Sequence, residues 1–287
     1  MDIRVGGFRR SYLVHVPAGY RAAAPLPLVV LLHGAFSTAK QLEAQSGFSR
    51  LADRAGFIAA YPNGIGLFGA LRHWNSGHCC GKARKDGIDD VGFVATVIDQ
   101  VAARLGVDRD RIYVVGYSNG GMLAHRFAAE RSRLVAATAV VSGTIGGTAA
   151  PNEPEWRIAD AQAPVPMLIL HGRADPNVPY DGGRGERSRG KGETISVARS
   201  AAYWVASNAC AAAPVTDSLF AGRVAHQVWG ACAGGAEVEL YTLAGWGHDW
   251  PGGPFMERLP ADDPLRSFDA AGLIWQFLRR HHRKVEP

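Results

Sequence analysis

The chain has 287 residues, 47% of them hydrophobic, and 31 Lys and Arg against 26 Asp and Glu give a formal net charge of +5. This is enough chain to bury a large core, and the charge is too small and too scattered to argue for a nucleic-acid partner. No stretch is long and apolar enough to span a membrane. No linker, composition break or internal repeat divides the chain, so residues 1–287 read as a single domain. Met1-Asp-Ile-Arg shows neither a charged n-region nor an apolar h-region, so a signal peptide is not expected in this sequence.

In chain order, the apolar run Leu28-Val-Val-Leu-Leu32 reads as a strand that ends in His33-Gly34-Ala35-Phe36. A helix is expected over about 38–55. Asp89 and Asp90 precede Val91-Gly-Phe-Val-Ala-Thr-Val-Ile98 and are expected to cap a helix over 90–105. A strand, Arg111–Gly116, then leads through Tyr117-Ser118-Asn119-Gly120 into a helix over 119–131. Pro166–His171 reads as a buried parallel strand, and the loop Gly172–Tyr180 leaves its C-terminal end. The Gly- and charge-rich stretch 181–193 follows as a surface loop beside it. Helices are expected over 194–208 and 266–281, with strands at Arg223–Trp229 and Val238–Leu243. Apolar strands alternating with amphipathic helices imply an α/β fold, with a mostly parallel central sheet and helices on both faces.

Gly116-Tyr-Ser-Asn-Gly120 is a G-x-S-x-G pattern between a strand and a helix, the context of a nucleophile elbow. The turn exposes the hydroxyl of Ser118, and glycines at both ends leave it room. A serine hydroxyl needs a base, and the base needs an orienting acid. In this chain order the acid comes before the histidine. Asp175 lies in a loop at a strand's C-terminal end, where open α/β sheets place their chemistry. Of the histidines after it, His226 sits in an alternating strand pattern. His281 and His282 end the last helix among basic residues, as a solvated terminus. His248 lies in a loop just after Val238–Leu243 and is the expected base. The oxyanion hole is expected from the backbone N–H groups of Ala35 and Asn119. His33 precedes Ser118 and is expected to brace its loop rather than act as the base. Such acyl transfer needs no cofactor.

Four candidate substrate contacts are aromatic: Phe36, Trp74, Trp246 and Trp250. Substrate contact and loop packing stand even for Trp74. Packing is favoured for Trp250, and substrate contact for Trp246, the nearest of them to His248. Cys79, Cys80, Cys210 and Cys232 permit three full pairings, which the sequence leaves open. Cys210 and Cys232 bracket a short β excursion. His73 and His78 stand beside Cys79 and Cys80, but adjacent cysteines suit a tetrahedral zinc site poorly, so no metal is expected.

The chain resembles the poly(3-hydroxybutyrate) depolymerase and feruloyl esterase family of α/β-hydrolase esterases, from about Arg10 to about Phe277. The resemblance is carried by Tyr12-Leu-Val-His-Val-Pro17, Pro27–Gly34, Tyr61-Pro-Asn-Gly64, Trp74-Asn75, Cys79-Cys80-Gly81 and Asp89–Phe93. It continues through Gly116–Met122, His171-Gly-Arg-Ala-Asp175, Val178-Pro-Tyr180, Asn208-Ala-Cys210 and Gly247–Gly252. It implies an α/β-hydrolase fold with Ser118, Asp175 and His248 as nucleophile, acid and base. The implied substrates are feruloyl or acetyl esters of plant polysaccharide or small esters, with 3-hydroxyalkanoate polyesters as the alternative. The resemblance also implies a secreted or periplasmic enzyme. Trp246 stands where a glycine is expected, and Ala35 where some depolymerase members carry cysteine. Both bear on the substrate rather than the mechanism. A serine peptidase and a non-catalytic binding module are the remaining, less favoured readings.

Overall fold

The computed structural model describes residues 1–22, 24–67, 70–188 and 190–283. Ten strands form the main sheet: β1 (Asp2–Val5), β2 (Phe8–His15), β3 (Leu26–Leu32), β4 (Ile58–Pro62), β5 (Val107–Tyr117), β6 (Ala137–Val141), β7 (Met167–Gly172), β8 (Val215–Leu219), β9 (Val224–Trp229) and β10 (Val238–Leu243). Their spatial order is β1-β2-β4-β3-β5-β6-β7-β10-β9-β8. The six central strands, β4 through β10 in that order, run parallel. The flanking pairs are antiparallel.

A parallel strand covered on both faces reads as a continuous apolar run, and β3 shows why. Leu28, Val30 and Leu32 enter one core, whereas Val29 and Leu31 enter the other, because successive side chains alternate faces. The first core is completed by α4 (Asp90–Arg104), α5 (Asn119–Glu130) and α6 (Val197–Ser207). The second is completed by α1 (Ala39–Ser46), α2 (Phe48–Ala55) and α7 (Ala270–Leu278). A short helix, α3 (Gly81–Lys85), follows the two adjacent cysteines.

Several boundaries differ from expectation for local reasons. The helix expected over 38–55 is two helices. Gly47 adopts φ 73°, which ends α1 in the left-handed conformation that glycine tolerates best. The last helix starts at Ala270 because Asp269 caps it, accepting from the Gly272 N–H at 3.0 Å. Of the two aspartates before α4, only Asp89 caps, accepting from Gly92 N–H at 2.8 Å. Asp90 is instead buried, bound to Arg10 of β2 at 2.6 Å.

His281 also departs from the solvated terminus that was expected. Its Nε2 lies 3.0 Å from Glu237, and Arg280 bridges Glu237 and Glu239. The His281 hydrogen bond is the largest influence on Glu237. Burial opposes it, Arg280 reinforces it, and the carboxyl is drawn down to about 2. A depressed carboxyl contributes stability that is present above its unfolded pKa and is lost as pH falls toward the folded one. The urea midpoint of the wild type is therefore expected to fall more between roughly pH 5 and about pH 3 than that of Glu237→Gln. Equal falls would remove Glu237 from the acid response.

Cys210 and Cys232 form a disulfide that closes the β8–β9 excursion, and the sulfurs of Cys79 and Cys80 are joined to each other. No helix of the described residues is long and apolar enough to cross a membrane.

Candidate active site

Ser118 sits between the end of β5 and the start of α5 with φ 54° and ψ −123°. A non-glycine residue holds this conformation only where its surroundings impose it. The imposition is visible at both glycines. A Cβ on Gly116 would lie 2.2 Å from the Gly120 carbonyl oxygen, and one on Gly120 would lie 2.1 Å from that of Leu32. A side chain at Gly116 would push the start of α5 away from β5, and one at Gly120 would push the elbow away from the end of β3.

Ser118 Oγ lies 2.8 Å from His248 Nε2, and His248 Nδ1 lies 2.7 Å from Asp175 Oδ2. The Asp175 side chain is buried, but four groups hold it. Its Oδ1 accepts from the N–H groups of Asn177 and Val178 at 2.8 and 2.9 Å. His248 and His171 approach Oδ2, the latter at 3.4 Å. Burial alone pushes Asp175 up. The nearby His171 and the hydrogen-bonded His248 outweigh it and hold the carboxyl well below the usual range. An ionised carboxylate only accepts, so His248 carries its proton on Nδ1. Its Nε2 is then the acceptor for the Ser118 hydroxyl. An imidazole in that tautomer is placed to take a proton from Ser118. Tyr117 Oη donates to the His248 carbonyl and anchors the loop.

Among the described residues, the N–H groups of Ala35 and Asn119 donate to no protein acceptor. They flank the serine from two different strand ends. His33 braces the first of these: its Nδ1 donates to the Gly34 carbonyl at 2.7 Å and its Nε2 accepts from Gly64 N–H at 3.0 Å. Burial holds the ring down to about 4, so it stays neutral at pH 7.

Ala35, Ser118, Asn119 and His248 open into a cavity of about 980 Å³ whose walls include Phe36, Met122 and Phe255. Arg187 and Glu193 of the charged loop also line it, as does Thr148, paired to Glu193 in a small three-stranded sheet. The esterase PHB depolymerase family matches residues 10–155 of this sequence. The chain belongs to that family. Residues 134–229 also match the TAP-like protein family. A protein named as the esterase NocK of Nocardia uniformis subsp. tsuyamanensis is 31% identical over 275 residues, covering 90% of this chain and 75% of NocK. Feruloyl esterase B of Piromyces equi is 29% identical over 83% of this chain, which spans 42% of that protein's length. The acetyl xylan esterase from Aspergillus awamori superposes with a TM-score of 0.60 at 18% identity, over 84% of this chain and 89% of that one. That likeness is one of fold, and the fold is that of the α/β hydrolases. With these relatives, the family member described here is a carboxylic ester hydrolase.

The expected aromatic contacts divide sharply. Phe36 is 41% exposed and faces the cavity, its ring edge-on to His73 at 4.5 Å. Trp74, Trp246 and Trp250 are only 0%, 5% and 1% exposed, and none lines the cavity. All three pack in the interior, against the substrate contact favoured for Trp246 and the even choice at Trp74; for Trp250 packing is the favoured expectation. Trp250 packs edge-on against Phe48 and Tyr117. Trp246 Nε1 donates to the Asp249 carbonyl at 2.7 Å and so ties the His248 loop to itself. Trp74 Nε1 donates to the His33 carbonyl at 2.8 Å. Sequence reasoning passed over His171 as a support for Asp175, although the two stand four residues apart in the same strand-end motif. It also passed over the side chain of Asn119, whose amide is wholly engaged with Trp74 and Ser76.

Proposed function

We propose that this enzyme is a serine esterase in which Ser118 is the nucleophile, His248 the general base and acid, and Asp175 the orienting acid. The hydrogen-bonded run from Ser118 through His248 to Asp175, open to a cavity, carries this reading. Ser118 Oγ attacks the ester carbonyl while His248 Nε2 takes its proton. The carbonyl electron pair moves onto oxygen, and the N–H groups of Ala35 and Asn119 stabilise it. On collapse, His248 returns the proton to the departing alcohol. Water then attacks the acyl-enzyme by the same route and releases the acid.

The substrates are feruloyl- or acetyl-type esters of plant polysaccharide, or small esters. The feruloyl and acetylxylan esterase relatives support that class, and so does an exposed aromatic ring at Phe36 beside the serine. The family match itself favours a second reading, cleavage of 3-hydroxybutyrate oligomers. The Cys210–Cys232 disulfide supports an oxidising compartment. The test compares methyl ferulate, a 3-hydroxybutyrate oligomer and a short p-nitrophenyl ester, with Ser118→Ala as the blank. Ferulate release absent from the blank supports the first reading, and oligomer cleavage without ferulate release supports the second. Aromatic contacts are worth about 0.5–1.5 kcal/mol, so Phe36→Ala is expected to raise KM for methyl ferulate roughly 2- to 10-fold. KM for p-nitrophenyl acetate should hardly move, and an equal rise for both would take the aryl group away from Phe36.

A further inference from the structure

We propose that Trp74 and the side chain of Asn119 form a clamp that sets the separation of the two oxyanion donors, making Trp74 a positioning residue. The inference rests on the serine-esterase reading above. The two donors come from different elements: Ala35 follows β3, and Asn119 begins α5. An oxyanion hole works only when both donors lie about 2.7–3.1 Å from one developing charge. Something must therefore hold the two backbones in register.

Trp74 touches both. Its indole N–H donates to the His33 carbonyl at 2.8 Å, just before the first donor. Its own backbone is bound on both sides by the Asn119 amide. Trp74 N–H donates to Asn119 Oδ1 at 2.8 Å, and Asn119 Nδ2 donates to the Trp74 carbonyl at 3.1 Å. The same Nδ2 lies 3.4 Å from Ser76 Oγ. Trp74, His33 and Asn119 are all buried. Away from water these bonds are strong, and a partner left unpaired is costly. The segment is fixed from outside as well. Asn75 N–H donates to Asp90 at 2.7 Å, and Arg126 donates to the Asn75 carbonyl at 3.0 Å. Asn119 thus has two uses: its backbone N–H serves the oxyanion, and its side chain links it through Trp74 to the segment after β3 that bears the other donor.

The test uses Trp74→Phe, which keeps an aromatic ring and removes the indole N–H, and Asn119→Ala, which keeps the backbone donor and removes the amide. Steady-state kinetics on a p-nitrophenyl ester are read beside the affinity of an alkyl trifluoromethyl ketone. Ser118 adds to that ketone: the Oγ–C bond forms, the carbonyl pair becomes an oxyanion, and the proton goes to His248. Both variants are expected to lose roughly 10- to 100-fold in kcat, less than deletion of a donor outright. KM should stay within about twofold, and ketone affinity should fall by the same factor as kcat/KM. Wild-type kcat and ketone affinity in a folded variant, even one with a lowered Tm, would overturn the clamp and leave it a packing feature. If Trp74→Phe does not fold, Asn119→Ala decides alone. If Ser118→Ala keeps the wild-type rate, the serine-esterase reading falls and the clamp with it. If only Ser118→Ala is impaired, the clamp alone falls.

Discussion

Ser118→Ala is expected to cost roughly 10⁶-fold in kcat, leaving only the rate that binding and the oxyanion donors supply. Asp175→Asn is expected to cost roughly 10⁴-fold, because an amide in place of the carboxylate no longer selects the tautomer that leaves His248 Nε2 free. Both changes preserve volume closely, so purified protein with an unchanged circular dichroism spectrum is the proper comparison. The rates are read on a p-nitrophenyl ester together with labelling by a fluorophosphonate. Ser118→Ala retaining more than a hundredth of the wild-type rate would place the nucleophile elsewhere. The environment of Asp175 adds a sign. Four groups hold its carboxyl ionised to well below the usual range. Protonation of Asp175 itself should therefore not be what limits activity in mild acid.

The largest effect on stability is expected at Asp90. Its carboxylate and the Arg10 guanidinium are both buried and 2.6 Å apart, with Arg10 also lying 3.8 Å from the centre of the Phe93 ring. Removing one partner of such a pair leaves a charge in the interior, which costs about 3–5 kcal/mol. For a protein of this size Asp90→Ala should lower Tm by about 5–8 °C. Replacing both partners, Arg10→Met with Asp90→Leu, should recover part of that loss because no unpaired charge remains. The recovery is incomplete because Asp90 also accepts from Asn75 N–H. Thermal melts of the wild type and the two variants separate these effects. A drop of less than about 2 °C in Asp90→Ala would show that Arg10 reaches water or another partner.

Much of the site was legible because its signals are local. Gly116 and Gly120 mark a turn wherever two backbones approach closely, and Asp175 and His248 fall in loops directly after apolar strands. The strand pattern of β3 conveyed burial on both faces without any reference to its neighbours. What escaped notice depends on contacts between distant segments. An aspartate pair before a helix looks like a cap twice over, and nothing nearby says that Arg10 will meet the second member. A tryptophan in a polar loop looks like a substrate contact until Asn119 and His33 are found on either side of it. Gly47 is the reverse case, a local signal for a helix end that lies inside the single helix expected over 38–55.

The loop that follows Asp175 lies beside the catalytic elements without belonging to the main sheet. Arg187 and Glu193 line the cavity, and the loop is tethered by short pairings of Gly183 with Thr194 and of Glu193 with Thr148. Surface loops accept changes of length and composition at little thermodynamic cost. Such a loop can change while Ser118, His248 and Asp175 keep their geometry, so admission to the cavity and the proposed chemistry rest on different parts of the chain. For the engineer the same division marks a grafting boundary: a foreign loop spliced between Tyr180 and α6 would change what reaches the cavity while leaving Asp175, Asn177 and Val178 in place.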